Sequence, residues 1–295
     1  MKLATFSVGG HVDCGLVLGE TVLELGAATG GRLGPPLEGL LSAPEAMDTL
    51  RELDERAREE EDLLQRCGRP LENVGLMAPV PRPGKVLCLG LNYRDHAAES
   101  GADVPEEPVV FSKASSSVIG TGEPIRIPEA SNRIDYEVEL AFVIGRTARQ
   151  VTAPRAMDYV GGYTVLNDVS ARDYQMEKGG SQWTLAKSFD TFCPLGPWLV
   201  TPDEVGDPED LRIECRVSGE LMQSSSTDQM IFGVAEVIEY LSRVLTLEPG
   251  DVVATGTPPG VGFVRTPPRF LRDGDVVECS VERIGTLANP VESDV

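Results

Sequence analysis

Apolar and polar positions alternate in short runs along most of the chain, and sustained helical spacing replaces that alternation in two places. Lys2 to Val8, Val12 to Leu18 and Thr21 to Leu25 read as strands joined by glycine-rich turns. Ser42, Pro44 and Glu45 then have the form of a capping box with proline in the first turn. Leu50, Leu53, Ala57, Leu63 and Leu64 continue at helical spacing until Gly68 and Pro70 stop it. The charged run Arg51 to Asp62 reads as the solvated face of that helix. Ala78 to Gly84, with prolines at 79, 81 and 83, is a stiff extended linker. It is expected to divide a small N-terminal α/β module, residues 1–78, from a main domain, residues 79–295.

Beyond the linker the strand pattern returns at Lys85 to Leu91, Val109 to Phe111, Tyr136 to Ile144, Tyr163 to Val169, Trp198 to Thr201, Leu211 to Val217, Asp251 to Thr255 and Val276 to Val281. Val234, Val237, Ile238, Leu241, Val244 and Leu245 form one apolar helical stripe among them, stopped by Glu248-Pro249-Gly250-Asp251. Most strands follow one another with no helix between, which argues against a parallel doubly wound sheet and for an α+β, mostly β, fold.

Composition narrows the function. The apolar fraction of 41% supports a sizeable core, and no apolar run approaches a membrane span. The start of the chain turns polar too early for a secretory signal, so a cytoplasmic protein is expected. A formal charge of −21 repels phosphate backbones, which disfavours nucleic acid as a partner, and a membrane role is not expected. The six cysteines are scattered without a C-x-x-C pair, and Cys88 and Cys215 read as small buried hydrophobes. With only His11 and His96 in the chain, a three-histidine metal site is excluded.

Four segments can carry chemistry. Glu137 and Glu139 are two apart in a strand, so their carboxylates project side by side and repel unless a cation or proton lies between them. Asp168, at the end of another strand run, can supply a third oxygen, and an all-oxygen set selects Mg²⁺ or Mn²⁺, with Ca²⁺ also compatible. The competing reading is a half-exposed strand whose acids face water. His96 and Glu99 fall at i and i+3 if Asp95 to Ser100 begins a helix, where they can share a proton as a general base, or simply form a surface pair. Arg172 can grip a carboxylate, Lys187 can place charge on a developing enolate, and the glycines between them allow a mobile loop over Met176 to Ser181. Ala254 to Gly262 lacks the signature of a phosphate or dinucleotide loop and reads as a tight backbone wall with the Thr257 hydroxyl available.

In this order the segments resemble the fumarylacetoacetate hydrolase family, in its bacterial acylpyruvase and 2-hydroxyhepta-2,4-diene-1,7-dioate isomerase-like branch. The matching blocks are Lys85 to Glu99, Phe111 to Gly120, Asp135 to Gly145, Gly162 to Gln175, Gln182 to Val200, Asp228 to Val261 and Gly274 to Val281. The resemblance implies a mixed β-sheet roll with a small N-terminal domain, commonly a homodimer. It assigns Glu137, Glu139 and Asp168 to Mg²⁺ or Mn²⁺, with no organic cofactor. It assigns His96 and Glu99 to a proton-transfer dyad on a lid, Lys187 to enolate stabilisation, and Arg172, Gln175 and Thr257 to the substrate. The reaction it implies is hydrolytic C–C cleavage of a 2,4-dioxo acid such as an acylpyruvate, with the dyad activating water and an enolate leaving. Decarboxylation or isomerisation of an oxaloacetate-like or 2-hydroxy-dienoate acid on the same site is the near alternative, and a non-catalytic oxo-acid-binding protein the distant one.

Overall fold

The computed structural model describes residues 1–101, 103–178, 180 and 182–293. Its framework is a mixed sheet of twelve strands. Along its path the order is Gly68–Pro70, Thr21–Glu24, His11–Leu18, Lys2–Val8, Cys193–Val200, Val160–Asn167, Val138–Ile144, Val252–Ala254, Val86–Gly90 and Val109–Lys113. Gly75–Leu76 and Val118–Ile119 attach beside it, on Lys2–Val8 and Cys193–Val200. A sheet of five strands, Glu220–Ser226, Arg212–Val217, Val276–Val281, Gly285–Ser293 and Ile125–Ile127, packs against the middle of the large sheet. Most neighbours are antiparallel, while Val252–Ala254 runs parallel to Val86–Gly90. The fold is therefore α+β with mixed sheets: the strand pattern implies the class, and the family resemblance implies the mixed sheets.

The strand Val138–Ile144 explains where the core lies. Val138, Leu140, Phe142 and Ile144 enter one cluster with Ile213, Val277 and Leu287, and Ala141 and Val143 enter a second with Leu166, Leu195 and Val252. A strand covered on both faces reads as a continuous apolar run. Glu139 interrupts that run and is buried, so its charge needs a partner. The second cluster also takes Leu16, Leu23, Leu50 and Leu53, and Leu3 pairs with Leu199 in the sheet. The N-terminal strands thus continue the large sheet and share its core.

Three local expectations need correcting. Tyr136 to Ile144 is not one strand: Ile134–Asp135 pairs with Ser170–Ala171, and the main-sheet strand begins at Val138. The ladder breaks because the Asn167 side chain takes the Glu137 N–H, at 3.0 Å. Ser42 is not the N-cap of the long helix, because it closes the preceding short helix Leu37–Leu41 in a helical conformation and its hydroxyl donates to the Gly39 carbonyl. Ala43, extended and without a side-chain bond, stands at the N-terminus of Pro44–Glu59, and the helix is broken at Glu60 before resuming as Glu61–Cys67. The later helix, Val234–Val244, follows its apolar stripe. Residues 179 and 181, in the loop read as mobile, lie outside the described residues. Among the described residues no helix is long and apolar enough to cross a bilayer.

Candidate active site

The sheet brings the three acids together from two adjacent strands. Glu137 and Glu139 flank the start of Val138–Ile144, and Asp168 follows the end of Val160–Asn167, whose Asn167 pairs with Val138. One oxygen from each lies within 4.8 Å of the others. Glu137, Glu139 and Asp168 are 7%, 1% and 0% exposed, which excludes the reading of water-facing strand acids.

Buried cations surround them unevenly. Lys187 Nζ lies 2.8 Å from Glu137 Oε2, 2.6 Å from Asp168 Oδ2 and 2.8 Å from Ser170 Oγ. Lys113 Nζ donates to Asp168 Oδ1 at 2.5 Å. Arg172 reaches Asp135 Oδ2 through Nε at 2.8 Å, Glu137 Oε1 through its second terminal nitrogen at 2.7 Å, and Gln175 Oε1 at 2.7 Å. Glu139 has the Gly256 N–H at 2.7 Å and, among the described residues, no ion pair. Four carboxylates (Asp135, Glu137, Glu139, Asp168) therefore face three cations (Lys113, Lys187, Arg172), and Glu139 is the one left over.

The acids respond oppositely to this field. Burial pushes the Glu137 carboxyl up, but the Lys187 and Arg172 charges overcome it and hold the group at about 2. Burial, reinforced by the charges of Asp168 and Glu137, drives Glu139 well above the ordinary carboxyl value. Burial also opposes the charge on Lys187, but Asp168 and Glu137 outweigh it and keep the ammonium firmly protonated. A buried acid left over beside two others, all offering oxygen, fits a hard divalent cation, since the cation supplies the charge that Glu139 lacks.

The dyad comes from the other side. Val86–Gly90 ends at Leu91, which turns with φ +54°, a left-handed conformation that costs a branched residue about 1–3 kcal/mol. Asn92 holds the turn by bonding Phe232 and Thr255 on both ends of its carboxamide. The helix Arg94–Ser100 follows, tied down by Arg94 to the Met230 carbonyl and by Asp95 to the Ser225 hydroxyl. On it His96 Nδ1 lies 3.2 Å from Glu99 Oε2. A carboxylate only accepts, so Nδ1 is the donor in this contact, which favours the tautomer that leaves Nε2 without a proton. The Gly260 N–H donates to both Glu99 oxygens, at 3.0 and 3.2 Å.

These groups share a cavity of about 240 Å³. His96, Glu137, Glu139, Arg172, Gln175, Lys187 and Thr257 line its polar side, and Leu89, Leu91, Phe111, Met176, Trp183 and Phe263 its apolar side. Asp168 stands behind the wall, against both lysines, and Glu99 behind His96. All nine residues singled out from the sequence thus converge. Two are more committed than their spacing suggested. The Arg172 guanidinium already braces Asp135 and Glu137, and the Thr257 hydroxyl donates to the Val138 carbonyl while accepting from Gln223.

Four residues escaped the sequence reading. Lys113 ends an edge strand as a single lysine with no local pattern around it. Ser170 is one hydroxyl among many. Asp135 shares the period of Glu137 and Glu139 and could have been found, but it serves as a bracket, accepting from Arg172 and from the N–H groups of Gly262 and Phe263. Gln223 bridges Val138 N–H, Thr257 Oγ1 and the Pro258 carbonyl, joining the acid strand to the 257–260 turn across 34 residues of sequence or more.

Known proteins share this architecture and its sequence. The family description Fumarylacetoacetate (FAA) hydrolase C-terminal matches residues 85–292, and the chain belongs to the fumarylacetoacetate hydrolase family. It is 54% identical over 219 residues to the mitochondrial oxaloacetate tautomerase fahd2 of Xenopus laevis, covering 74% of this chain and 69% of that protein. A fumarylacetoacetate hydrolase structure from the psychrophilic Exiguobacterium antarcticum superposes with a TM-score of 0.82 at 38% identity, over 99% of each chain. Maleylpyruvate hydrolase from Sphingobium sp. SYK-6, solved with manganese(II) and pyruvate, gives 0.79 at 32% identity, also over 99% of each.

Proposed function

We propose that the protein moves a proton at the carbon next to the keto group of a small 2-oxo acid, with keto–enol interconversion of oxaloacetate as the leading reaction. The observation that carries this reading is the meeting of a three-carboxylate cradle and a His–Glu dyad on one small cavity. The likeness to the Xenopus oxaloacetate tautomerase selects the substrate class. Glu137, Glu139 and Asp168 would hold Mg²⁺ or Mn²⁺, which when bound supplies Lewis-acid polarisation of the keto oxygen.

The chain's own groups do the rest. Glu99 fixes the His96 tautomer, so that Nε2 takes the proton from carbon and releases it to the enolate oxygen, the reverse transfer regenerating the ketone. Lys187, held charged beside Glu137 and Asp168, offsets negative charge as the enolate develops. Gln175 lines the cavity with its oxygen taken by Arg172, so its amide N–H groups are the part that can orient the acid. Phe111, Trp183 and Phe263 keep water from the reacting carbon.

A second reading, hydrolytic C–C cleavage of an acylpyruvate, is favoured by the same dyad, which can activate water, and by the likeness to maleylpyruvate hydrolase. Purified protein supplied with Mg²⁺ or Mn²⁺ separates the two. Enzyme-dependent decay of oxaloacetate enol absorbance, without added CO₂ release, is the expected result. Pyruvate release from acylpyruvates with no acceleration of enol decay would replace the first reading by the second.

A further inference from the structure

Glu99 is the outer half of the dyad and is partly open to solvent, so something must hold its carboxylate against His96. Its second tether is the Gly260 N–H, which meets both oxygens. That amide belongs to a tight turn that requires glycine. Gly260 has φ +101°, and a Cβ there would lie 2.2 Å from the Met222 carbonyl oxygen. The turn is pressed onto strand Glu220–Ser226, and a small rotation would swing the N–H away from Glu99.

The group that prevents this is Arg265. Its Nε donates to the Gly260 carbonyl at 3.2 Å and a terminal nitrogen donates to the Met222 carbonyl at 2.7 Å. Among the described residues it makes no ion pair, so its charge-assisted bonds go to the two carbonyls that define the turn. The Tyr136 hydroxyl adds a weaker bond to the Gly260 carbonyl at 3.3 Å. Arg265 is not among the residues that line the cavity, nor does it pair with the acids among the described residues.

We propose that Arg265 is a positioning residue for proton transfer: by clamping the Gly260 and Met222 carbonyls it aims the Gly260 N–H at Glu99, which in turn fixes the His96 tautomer. The proposal rests on the dyad reading above. It predicts an effect on turnover and on the imidazole, with cation binding unchanged.

The test is a four-protein cycle on the full chain with Mn²⁺: unsubstituted, Arg265→Met, His96→Ala and the double variant. Arg265→Met lowers kcat by roughly tenfold to a hundredfold, a part of the roughly 10²–10⁴-fold that a general base contributes, and leaves KM nearly unchanged. In the His96→Ala background the same substitution has almost no further effect. Because the chain has only two histidines, nitrogen-15 spectra of the imidazoles report the tautomer directly, without any substrate. The His96 signal shifts toward a tautomer mixture in Arg265→Met while His11 stays fixed. Arg265→Lys, which keeps the charge and can reach one carbonyl, recovers part of both effects and covers the case in which the methionine variant folds poorly.

An unchanged His96 spectrum overturns the proposal, as do losses that multiply in the double variant. If His96→Ala itself keeps full turnover, the dyad reading fails, and the two failures are thereby told apart.

Discussion

Glu139 lines the cavity and Glu99 backs its His96 wall, on supports of opposite kind. Glu139 lies in a strand paired on both sides and buried on both faces, and its neighbours are held by two lysines and an arginine. Glu99 rides on a seven-residue helix outside the sheet, fixed by a few side-chain hydrogen bonds of Asn92, Arg94 and Asp95 and by one turn amide. The cradle is rigid because sheet register and the ion pairs of Glu137 and Asp168 over-determine it. The dyad is only as rigid as a few hydrogen bonds, each worth about 1 kcal/mol. On the proposed function, a site divided this way would hold a cation without the dyad but would not turn over without both.

The largest break removes the cradle. Glu137→Ala with Glu139→Ala should abolish turnover and weaken cation binding by more than about a hundredfold, the most that loss of an outer partner alone costs. Equilibrium dialysis with Mn²⁺ beside an activity assay checks it, and retained binding would move the cation elsewhere. The dyad should break differently. His96→Ala should reduce kcat by about 10²–10⁴-fold and leave Mn²⁺ dialysis as in the unsubstituted protein. A joint loss of binding would mean that the two halves of the site are one structural unit.

That contrast also separates what the residues reveal from what only the fold does. Glu137, Glu139 and His96 with Glu99 are legible because a strand has a period of two and a helix brings i and i+3 together. Asp168 is legible only as the end of a strand run, since its closeness to Glu139 depends on the register of Val138 opposite Asn167. Lys113, Gln223 and Arg265 carry no periodic mark, because their partners lie 30 residues or more away or are main-chain carbonyls set by turns. The short helices Leu25–Thr29 and Leu37–Leu41 leave no stripe for the same reason: five residues hold barely more than one turn.

A finer distinction lies within the cradle. Glu137 is paired with Lys187 and Arg172, whereas Glu139 adds charge where three acids already crowd. Glu137→Gln should therefore destabilise the cation-free protein by about 3–5 kcal/mol, the usual result of leaving buried partners uncompensated. Glu139→Gln, which mimics the protonated acid, should leave stability equal or higher while still impairing cation binding. Urea unfolding in the presence of chelator reads both, and equal losses would refute the charge count.

The smallest effect follows from the same count and concerns protons. Glu137, held at about 2 against an ordinary 4.5, stabilises the fold fully above 4.5 and loses that contribution as pH falls toward 2. Glu139, raised well above 4.5, works in the opposite direction: its contribution is intact below 4.5 and is lost as pH rises through its folded value. A bound cation takes the place of the Glu139 proton, so affinity should rise with pH by up to about tenfold per unit wherever that proton is exchanged. Calorimetric Mn²⁺ titrations in buffers of different protonation enthalpy should show a buffer-dependent heat for the unsubstituted protein and a much smaller one for Glu139→Gln. An affinity flat with pH would show Glu139 to be ionised already, and the positive field of Lys113, Lys187 and Arg172 would then have to reach further into the cradle than their contacts indicate.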